Sequence, residues 1–410
     1  MPSPGPNTGP DPEPASRLRS RRRVVVTGLG VVAPCGIGVA AYWQGLLAEP
    51  PKGERQVLDF VAEDYFDSPK DARRTDRFAQ FAIASAAMAL EQAGDLHVNP
   101  ARAGVLLGTG VGGLHTLEEQ ILVYYQKDPR RVSPFLVPMM MANAGAAAIS
   151  MRYGFQGPCE TTVTACAAGT HAIGNAARLI MDDRCDVMLT GGSEASTTAT
   201  ALQGFTNMTA ASKTGICRPF DRDRDGLIMA EAGAVLVLEE LEHARGRGAP
   251  ILGEVMGSAS TADAYHITAP SPGGGGAVAC IELALTDAGV RAGDIRHVNA
   301  HGTSTPLNDA AEAEALAKVF GLPGPAVTST KGVTGHALGA AGAIEAVAVL
   351  LAIEHRLIPP TAGLRNLDPE LPAIDVVTGD PRPWEPGPSL SNSFGFGGHN
   401  GTLVIGPPPA

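Results

Sequence analysis

The chain has 410 residues, of which 44% are apolar and 18% charged, so it can bury a large core and is neither disordered nor highly charged. A formal net charge of −11 argues against non-specific binding to nucleic acid. Six cysteines without a C-x-x-C pair argue against a disulfide scaffold and a structural zinc site. The sequence contains no uninterrupted run of eighteen apolar residues, so a membrane-spanning helix is not expected. We therefore expect a reduced, cytoplasmic globular protein that binds neither nucleic acid nor a membrane.

The N-terminal segment, residues 1–21, is predicted to be a disordered tail. It is rich in proline and almost free of large apolar side chains, so it cannot bury enough surface to offset its ordering entropy. Three arginines and the apolar run Val24–Val32 then imitate a signal peptide, but glycines and Pro34 interrupt that run. A buried first strand is the better interpretation.

Strand-like and helix-like segments alternate along the chain. Short β-rich runs bounded by turn residues predict strands at Val24–Thr27, Val105–Gly108, Cys159–Ala165, Val187–Thr190, Ala234–Glu239 and His297–Ala300. Apolar positions at helical spacing predict helices at Phe78–Ala93, His171–Met181, Gly276–Ala288, Asp309–Phe320 and Ala340–Arg356. This alternation predicts an α/β fold with mainly parallel sheets covered by helices. We expect two similar halves, residues 22–264 and 265–410, each with a reactive side chain just beyond a strand end.

Two glycine-rich turns, Gly28–Ala33 and Gly108–Gly113, match the spacing of the dinucleotide-binding fingerprint. That fingerprint also needs a helix at the third small residue and an acidic residue at the end of the next strand. Pro34 breaks the helix after the first turn, and Lys127–Pro129 forms a turn where the second would need a strand end. We interpret both as ordinary turns.

A metal site is not predicted. His297 and His301 are spaced like metal ligands on a helix, but their segment has the pattern of a strand. In a strand the two rings would lie about 13 Å apart. No glutamate follows His297, as a zinc-binding helix of the protease type would require.

Cys166 is a candidate nucleophile. It follows a predicted strand and precedes a predicted helix, and the positive end of a helix dipole lowers the pKa of a thiol. The small residues around it, Ala165 and Ala167–Gly169, leave room for a substrate to reach the sulfur atom. On this segment alone, a buried and inert cysteine is an equally good interpretation.

Two histidines in the second half favour chemistry at Cys166. His301 and His336 are each followed by small residues that permit close approach of a ligand. Thiol chemistry on a thioester needs a nucleophile and an oxyanion site, and two imidazoles can donate to an enolate oxygen. Together with Lys331 they form a constellation, and the glycine-rich segment Asn392–Asn400 can present backbone N–H groups.

At six motifs the chain resembles the decarboxylating β-ketoacyl-acyl-carrier-protein synthases, close to the type-II elongation enzymes. The motifs, in order, are Val163–Gly169, Arg218–Asp221, Asp263–His266, Asn299–Thr305, Ser329–His336 and Asn392–Gly398. The resemblance runs from about Arg23 to Gly406. It implies a thiolase-like duplicated fold of five layers, αβαβα, normally assembled as a dimer.

The resemblance also implies a reaction. Cys166 would accept an acyl chain from acyl carrier protein as a thioester, with the backbone N–H groups of Cys166 and Phe396 forming the oxyanion hole. Phe396 would also be a gate between acylation and condensation. His301 and His336 would bind the malonyl thioester carbonyl and stabilise the enolate that forms as carbon dioxide leaves.

Further residues match supporting positions of the same family. Lys331 and Glu312 match a charged pair that is structural and orienting rather than directly chemical. The residues that match substrate-binding positions are Thr303, Thr305, Val111 and Phe205. No cofactor is implied, because the substrates are carried on the phosphopantetheine of acyl carrier protein.

Related functions are disfavoured by particular residues. A thiolase needs a second catalytic cysteine in its C-terminal half, and no cysteine follows Cys280. The alternative of a non-catalytic chain-length factor, a partner subunit of a ketosynthase heterodimer, is opposed by Cys166. The loop Lys213–Phe220 and His399 are compatible with both fatty-acid and type-II polyketide synthesis, so the sequence does not decide between these two pathways. It also does not decide between a homodimer and a heterodimer.

A basic cluster precedes the helix predicted at Phe78–Ala93. Acyl carriers are acidic, so an acidic enzyme needs a local basic patch to receive one. Asp71 and Asp76 partly neutralise the cluster, and a solvated helix start is the alternative interpretation. We predict carrier docking at Lys70, Arg73 and Arg74, with Arg77 in the same cluster.

Overall fold

The computed structural model describes residues 21–410. The predicted disordered tail lies outside the described residues except for Arg21, whose guanidinium is 2.7 Å from the carboxylate of Asp287.

Thirteen strands are described in residues 21–410. They are β1 (Val24–Ala33), β2 (Gly36–Ile37), β3 (Ala103–Gly108), β4 (Cys159–Thr162), β5 (Val187–Glu194), β6 (Ala232–Glu240), β7 (Gly253–Ala262), β8 (His297–Asn299), β9 (Ala326–Thr328), β10 (Leu357–Ile358), β11 (Arg382–Pro383), β12 (Ser389–Gly395) and β13 (His399–Gly406).

The same residues form thirteen α-helices. They are α1 (Val39–Leu46), α2 (Pro69–Ala72), α3 (Arg77–Ala93), α4 (Leu114–Gln126), α5 (Leu136–Met140), α6 (Ala144–Tyr153), α7 (Ala168–Met181), α8 (Ala199–Asn207), α9 (Leu241–Gly246), α10 (Gly275–Ala288), α11 (Pro306–Phe320), α12 (Lys331–Thr334) and α13 (Ala341–His355).

The sheet topology is duplicated. The spatial order is β4-β3-β5-β6-β1-β7-β13-β12-β8-β9, so β4-β3-β5-β6-β1 and β9-β8-β12-β13-β7 run the same way from each edge to the centre. In both sets the first two pairings are parallel and the next two antiparallel. The sets meet where β1 pairs with β7. The second copy begins at Gly253, whereas the sequence placed the junction between residues 264 and 265.

The helices complete five layers. Helices α3 and α6 pack on one face of the first strand set, and α10 and α11 pack on the outer face of the second. Helices α7 and α13 lie between the two sets and share a core with both. The predicted α/β fold of layers αβαβα is therefore confirmed. The prediction of mainly parallel sheets is wrong, because in each half the two strand pairings nearest the centre of the sheet are antiparallel.

Helix α13 has the composition of a membrane span but the position of a core helix. The stretch Leu338–His355 is apolar and long enough to cross a bilayer, yet it is 89% buried inside the protein. Every residue from Ala341 to Ile353 is buried. Since both flanking layers are protein, this helix needs no polar face.

Candidate active site

Cys166 lies in a sharp turn between β4 and α7. Ala165 has φ 49°, which no strand residue adopts, so β4 ends at Thr162 rather than at the predicted Ala165. A turn of 3₁₀ helix, Ala165–Ala167, then leads directly into α7. This places the sulfur atom at the carboxyl end of the sheet, as the strand–helix pattern predicted.

The thiol of Cys166 lines a cavity of about 340 Å³. Its lining includes four side chains named from the sequence as substrate-binding or gate residues, Phe205, Thr303, Thr305 and Phe396. Val111 does not line this cavity; it is 47% exposed on the surface.

His301 and His336 reach the same cavity from the second half. His301 follows β8, and His336 follows α12. Their ring centroids are 5.2 Å apart, and a ring nitrogen of each lies within 4.8 Å of the other and of the Cys166 sulfur. Burial, assisted by the positive charge of Lys331, holds the pKa of both imidazoles well below the usual value. Both rings are therefore neutral near pH 7.

Lys331 has a different carboxylate partner from the one expected. The predicted pairing of Lys331 with Glu312 is wrong. Lys331 forms an ion pair with Glu345 of α13, and both side chains are fully buried. Its Nζ also lies 3.4 Å from Nδ1 of His301. Because an ammonium group only donates, Nδ1 accepts and the ring proton is on Nε2. Sequence reasoning missed Glu345, whose one available signal was an acidic residue inside an otherwise apolar helix.

Glu312 fixes the backbone of the His301 loop instead. Its two carboxylate oxygens accept the backbone N–H groups of His301 and Gly302, each at 2.8 Å. Burial raises the pKa of Glu312 to about 7, although these N–H groups oppose the shift. Glu312 therefore orients His301 through the main chain.

The predicted lowering of the Cys166 pKa is wrong. Burial raises the pKa of this thiol to about 11, and the backbone N–H groups of Phe396 and Cys166 and the charge of Lys331 offset only part of that effect. The predicted position of Cys166 just before a helix is right, but desolvation by burial is the largest influence on its pKa. The resting group is a neutral thiol.

The C-terminal glycine-rich segment is a hairpin turn. Phe396–Gly398 connects β12 to β13, and the Phe396 ring stacks on Phe205 with centroids 6.0 Å apart. A Cβ atom on Gly395 would lie 3.1 Å from the backbone nitrogen of Cys166, so glycine permits the hairpin to contact the turn Ala165–Ala167, named the nucleophile turn after the candidate nucleophile Cys166. This contact brings the Phe396 N–H group to the thiol.

The predicted docking residues lie on the surface at α2 and just after it. Lys70, Arg73 and Arg74 are exposed, and Arg74 lies over the ring of Phe135 at 4.2 Å. Arg77 is different, because its guanidinium turns inward to Glu231 at 2.6 Å. Arg77 therefore does not contribute a free charge to the cluster.

Cys166, His301 and His336 carry donor atoms of the types that bind zinc. A closed structural zinc site has four protein ligands, and these are three. The same atoms are the ones that thioester chemistry needs, and the absence of a metal stays a prediction.

A duplicated sheet with a thiol from one half and two imidazoles from the other defines a condensing enzyme of the thiolase-like class. The family description "Beta-ketoacyl synthase, N-terminal domain" matches residues 52–244, and "Beta-ketoacyl synthase, C-terminal domain" matches residues 252–365. The chain therefore belongs to the β-ketoacyl synthase family.

Relatives match over nearly the whole length. The 3-oxoacyl-[acyl-carrier-protein] synthase 2 of Synechocystis sp. is 45% identical, covering 94% of this chain and 98% of its own. The enzyme of the same name from Coxiella burnetii is 41% identical, covering 94% of this chain and 98% of its own. The solved ishigamide ketosynthase/chain length factor superposes with a TM-score of 0.87 at 34% identity, covering 95% of this chain and 100% of that one.

Proposed function

We propose that this chain is a β-ketoacyl-acyl-carrier-protein synthase that extends an acyl chain by two carbons. The observation that supports it best is the convergence of one thiol and two neutral imidazoles, from opposite halves, within 4.8 Å in one cavity. Acyl and malonyl groups would arrive on the phosphopantetheine of acyl carrier protein, and the proposed reaction uses no metal or further cofactor.

The first step transfers the acyl group. The Cys166 sulfur attacks the thioester carbonyl of acyl carrier protein, and the carrier's thiol leaves with the proton that Cys166 gives up. Because the pKa of Cys166 is raised, that proton needs an acceptor, and the neutral imidazole of His336 within 4.8 Å is the nearest candidate, since both ring nitrogens of His301 are already occupied. The N–H groups of Cys166 and Phe396 that already point to the sulfur would bind the developing oxyanion.

The second step forms the carbon–carbon bond. The malonyl carboxyl leaves as carbon dioxide, and its bonding electrons form an enolate whose oxygen accepts from His301 and His336. The enolate carbon attacks the carbonyl of acyl-Cys166, the carbon–sulfur bond breaks with its electrons on sulfur, and the thiolate takes up a proton from water. The Nε2–H tautomer that Lys331 imposes on His301 suits this donor role.

Phe205, Thr303 and Thr305 line the cavity where the carrier's arm and the acyl chain would lie. Thr303 and Thr305 share a hydroxyl hydrogen bond of 2.9 Å, so their hydroxyls are held in place near the histidines. Phe396 lies in the hairpin turn outside both strands and stacks on Phe205 at the cavity, and we propose that movement of this ring opens the cavity.

We further propose a cytoplasmic dimer, with an identical or a chain-length-factor partner. Strand β4 is an edge of the sheet in the described residues, and Val111, Met141 and Val163 near this edge are about half exposed. Burial of these apolar side chains by a partner would be favourable. Related solved complexes include a type-II ketosynthase with its acyl-carrier protein and a ketosynthase with its chain length factor.

The non-catalytic chain-length-factor function is not favoured. A non-catalytic subunit does not need a cavity in which a thiol faces two imidazoles. In addition, relatives that are 40–45% identical to this chain are named synthases.

Intact-mass measurement after incubation with an acyl carrier thioester tests the proposal. We expect the acyl mass on Cys166 in the unmodified protein and none in Cys166→Ala. Cys217→Ala is the matched control, because Cys217 is buried like Cys166 but lies outside the cavity lining. Acylation of Cys166→Ala, or of Cys159 in place of Cys166, would contradict the assignment.

A further inference from the structure

His171 joins the two segments that meet at the thiol. It lies in the second turn of α7 and is 7% exposed. On one side, Nδ1 is 2.8 Å from the hydroxyl of Thr164, two residues before Cys166. On the other side, Nε2 is 3.0 Å from the backbone carbonyl of Asn400, just beyond the hairpin turn.

The two partners determine the tautomer of this ring. A backbone carbonyl only accepts, so Nε2 carries the proton and donates to Asn400. Nδ1 then has a free lone pair, and the Thr164 hydroxyl donates to it. Burial lowers the pKa of His171, which keeps the ring in this neutral form.

The hairpin is packed closely against this ring. A Cβ atom on Gly401 would come within 2.9 Å of Nε2, so only glycine allows β13 to lie this near. On the far side of the turn, the N–H of Phe396 reaches the thiol of Cys166. The ring of His171 is therefore a side-chain connection between Thr164, which precedes the nucleophile turn, and β13, which directly follows the hairpin turn that carries the second oxyanion donor.

We propose that His171 is a positioning residue that keeps the Cys166 sulfur aligned with the Phe396 N–H group through its bonds to Thr164 and Asn400. The inference rests on the proposed function, since alignment matters only if the sulfur attacks a carbonyl. His171 touches neither substrate nor reacting atoms. Losing the alignment slows acylation, in which the N–H group must meet the oxyanion, by more than it slows alkylation of the thiol, while carrier binding stays the same.

Matched substitutions separate this role from simple stability. Thr164→Val removes the hydroxyl at nearly constant volume, and Thr164→Ser keeps it. His171→Gln retains a donor for Asn400, and His171→Asn retains an acceptor for Thr164, but neither spans both bonds. Ser393→Ala is the control, because it removes the 2.7 Å hydrogen bond between Thr170 of α7 and the same hairpin without touching the nucleophile turn.

The experiment measures the single-turnover rate of Cys166 acylation, the apparent KM for acyl carrier, and the rate of Cys166 alkylation by iodoacetamide. We expect acylation to fall about tenfold or more in Thr164→Val, His171→Gln and His171→Asn, the scale of a misplaced oxyanion donor. The acylation rates of Thr164→Ser and Ser393→Ala should stay within about twofold of the wild type, KM should not change in any variant, and alkylation should fall by less than acylation does.

Either of two kinetic results would overturn the proposal: wild-type acylation rates in both Thr164→Val and His171→Gln, or an equal loss in Ser393→Ala. The ¹⁵N shifts of His171 give a readout that needs no turnover, and a proton on Nδ1 would also refute it. Failure of the unmodified protein to acylate Cys166 would refute the proposed function instead, so the two failures are distinguishable.

Discussion

The buried ammonium group of Lys331 is paired with the carboxylate of Glu345 in α13. Glu345→Gln would leave a buried charge without its partner, and breaking a buried pair in this way costs about 3–5 kcal/mol. We expect a loss of that size in the free energy of unfolding, measured by urea denaturation. A change below about 1 kcal/mol would show that Lys331 does not depend on Glu345.

Replacing both members of that pair separates stability from chemistry. Lys331→Met with Glu345→Met removes both charges, so most of the stability lost in Glu345→Gln should return. Decarboxylation of malonyl carrier should not return, because Nδ1 of His301 has lost its donor. Full activity in the double variant would contradict the tautomer assigned to His301.

The alkylation rate of Cys166 should rise with pH without a plateau up to pH 9. Because burial raises the pKa to about 11, the thiolate fraction grows about tenfold for each pH unit below that value. Iodoacetamide labelling of Cys166, followed by peptide mass spectrometry in a Cys159→Ser background, measures this rate. A plateau below pH 8 would mean that the helix dipole is the larger effect.

Loss of either site histidine should abolish most decarboxylation. His301→Ala and His336→Ala each remove one preorganised donor, which typically costs about 10²–10³ in rate. Release of carbon dioxide from malonyl carrier is the measurement, and acylation of Cys166 should be less affected in His301→Ala, because the His301 ring does not accept the Cys166 proton. His297→Phe is the control, because His297 is equally buried but stacks edge-on against Trp384 outside the cavity lining.

His297 should make the fold acid-sensitive. Both ring nitrogens lack a hydrogen-bond partner among the described residues, and burial lowers the pKa to about 3. Its stabilising contribution is therefore fully present above pH 6.5 and is lost as pH falls towards 3, since only the unfolded state binds the proton. Between pH 7 and pH 5 the loss is about 2 kcal/mol. His297→Phe should remove that part of the pH dependence of unfolding, and an unchanged profile would contradict the buried neutral state.

Charge reversal at Arg73 and Arg74 should weaken carrier association. Both side chains are exposed, so an acidic carrier can reach them. The double Glu variant should raise the apparent KM for acyl carrier at low salt and flatten its salt dependence, because such attraction is screened over about 8 Å at physiological salt. Iodoacetamide reactivity of Cys166 should not change.

The control for docking is the same reversal at Arg291 and Arg296, exposed arginines of the C-terminal half. An equal rise in KM there would show that only net charge matters. Unaltered kinetics in the Arg73 and Arg74 variant would place the docking surface elsewhere.

The sequence by itself determined the class of fold and the three side chains that we propose carry out the reaction. Helices α3, α7, α10, α11 and α13 fall within a few residues of the predicted spans, since their apolar spacing is a local property. Cys166, His301 and His336 were recognisable because small residues and strand ends surround them in the chain itself. The β12–β13 hairpin was missed, because its glycines have the pattern of a loop.

Only the tertiary structure decided the electrostatics of the site. The partner of Lys331, the main-chain role of Glu312 and the raised pKa of Cys166 depend on which groups meet in space and on how much water is excluded. The antiparallel strand pairs near the centre of the sheet also depend on contacts between residues far apart in the chain. Local sequence fixes periodicity and dipole, but desolvation and ion pairing are set by residues far apart in the chain.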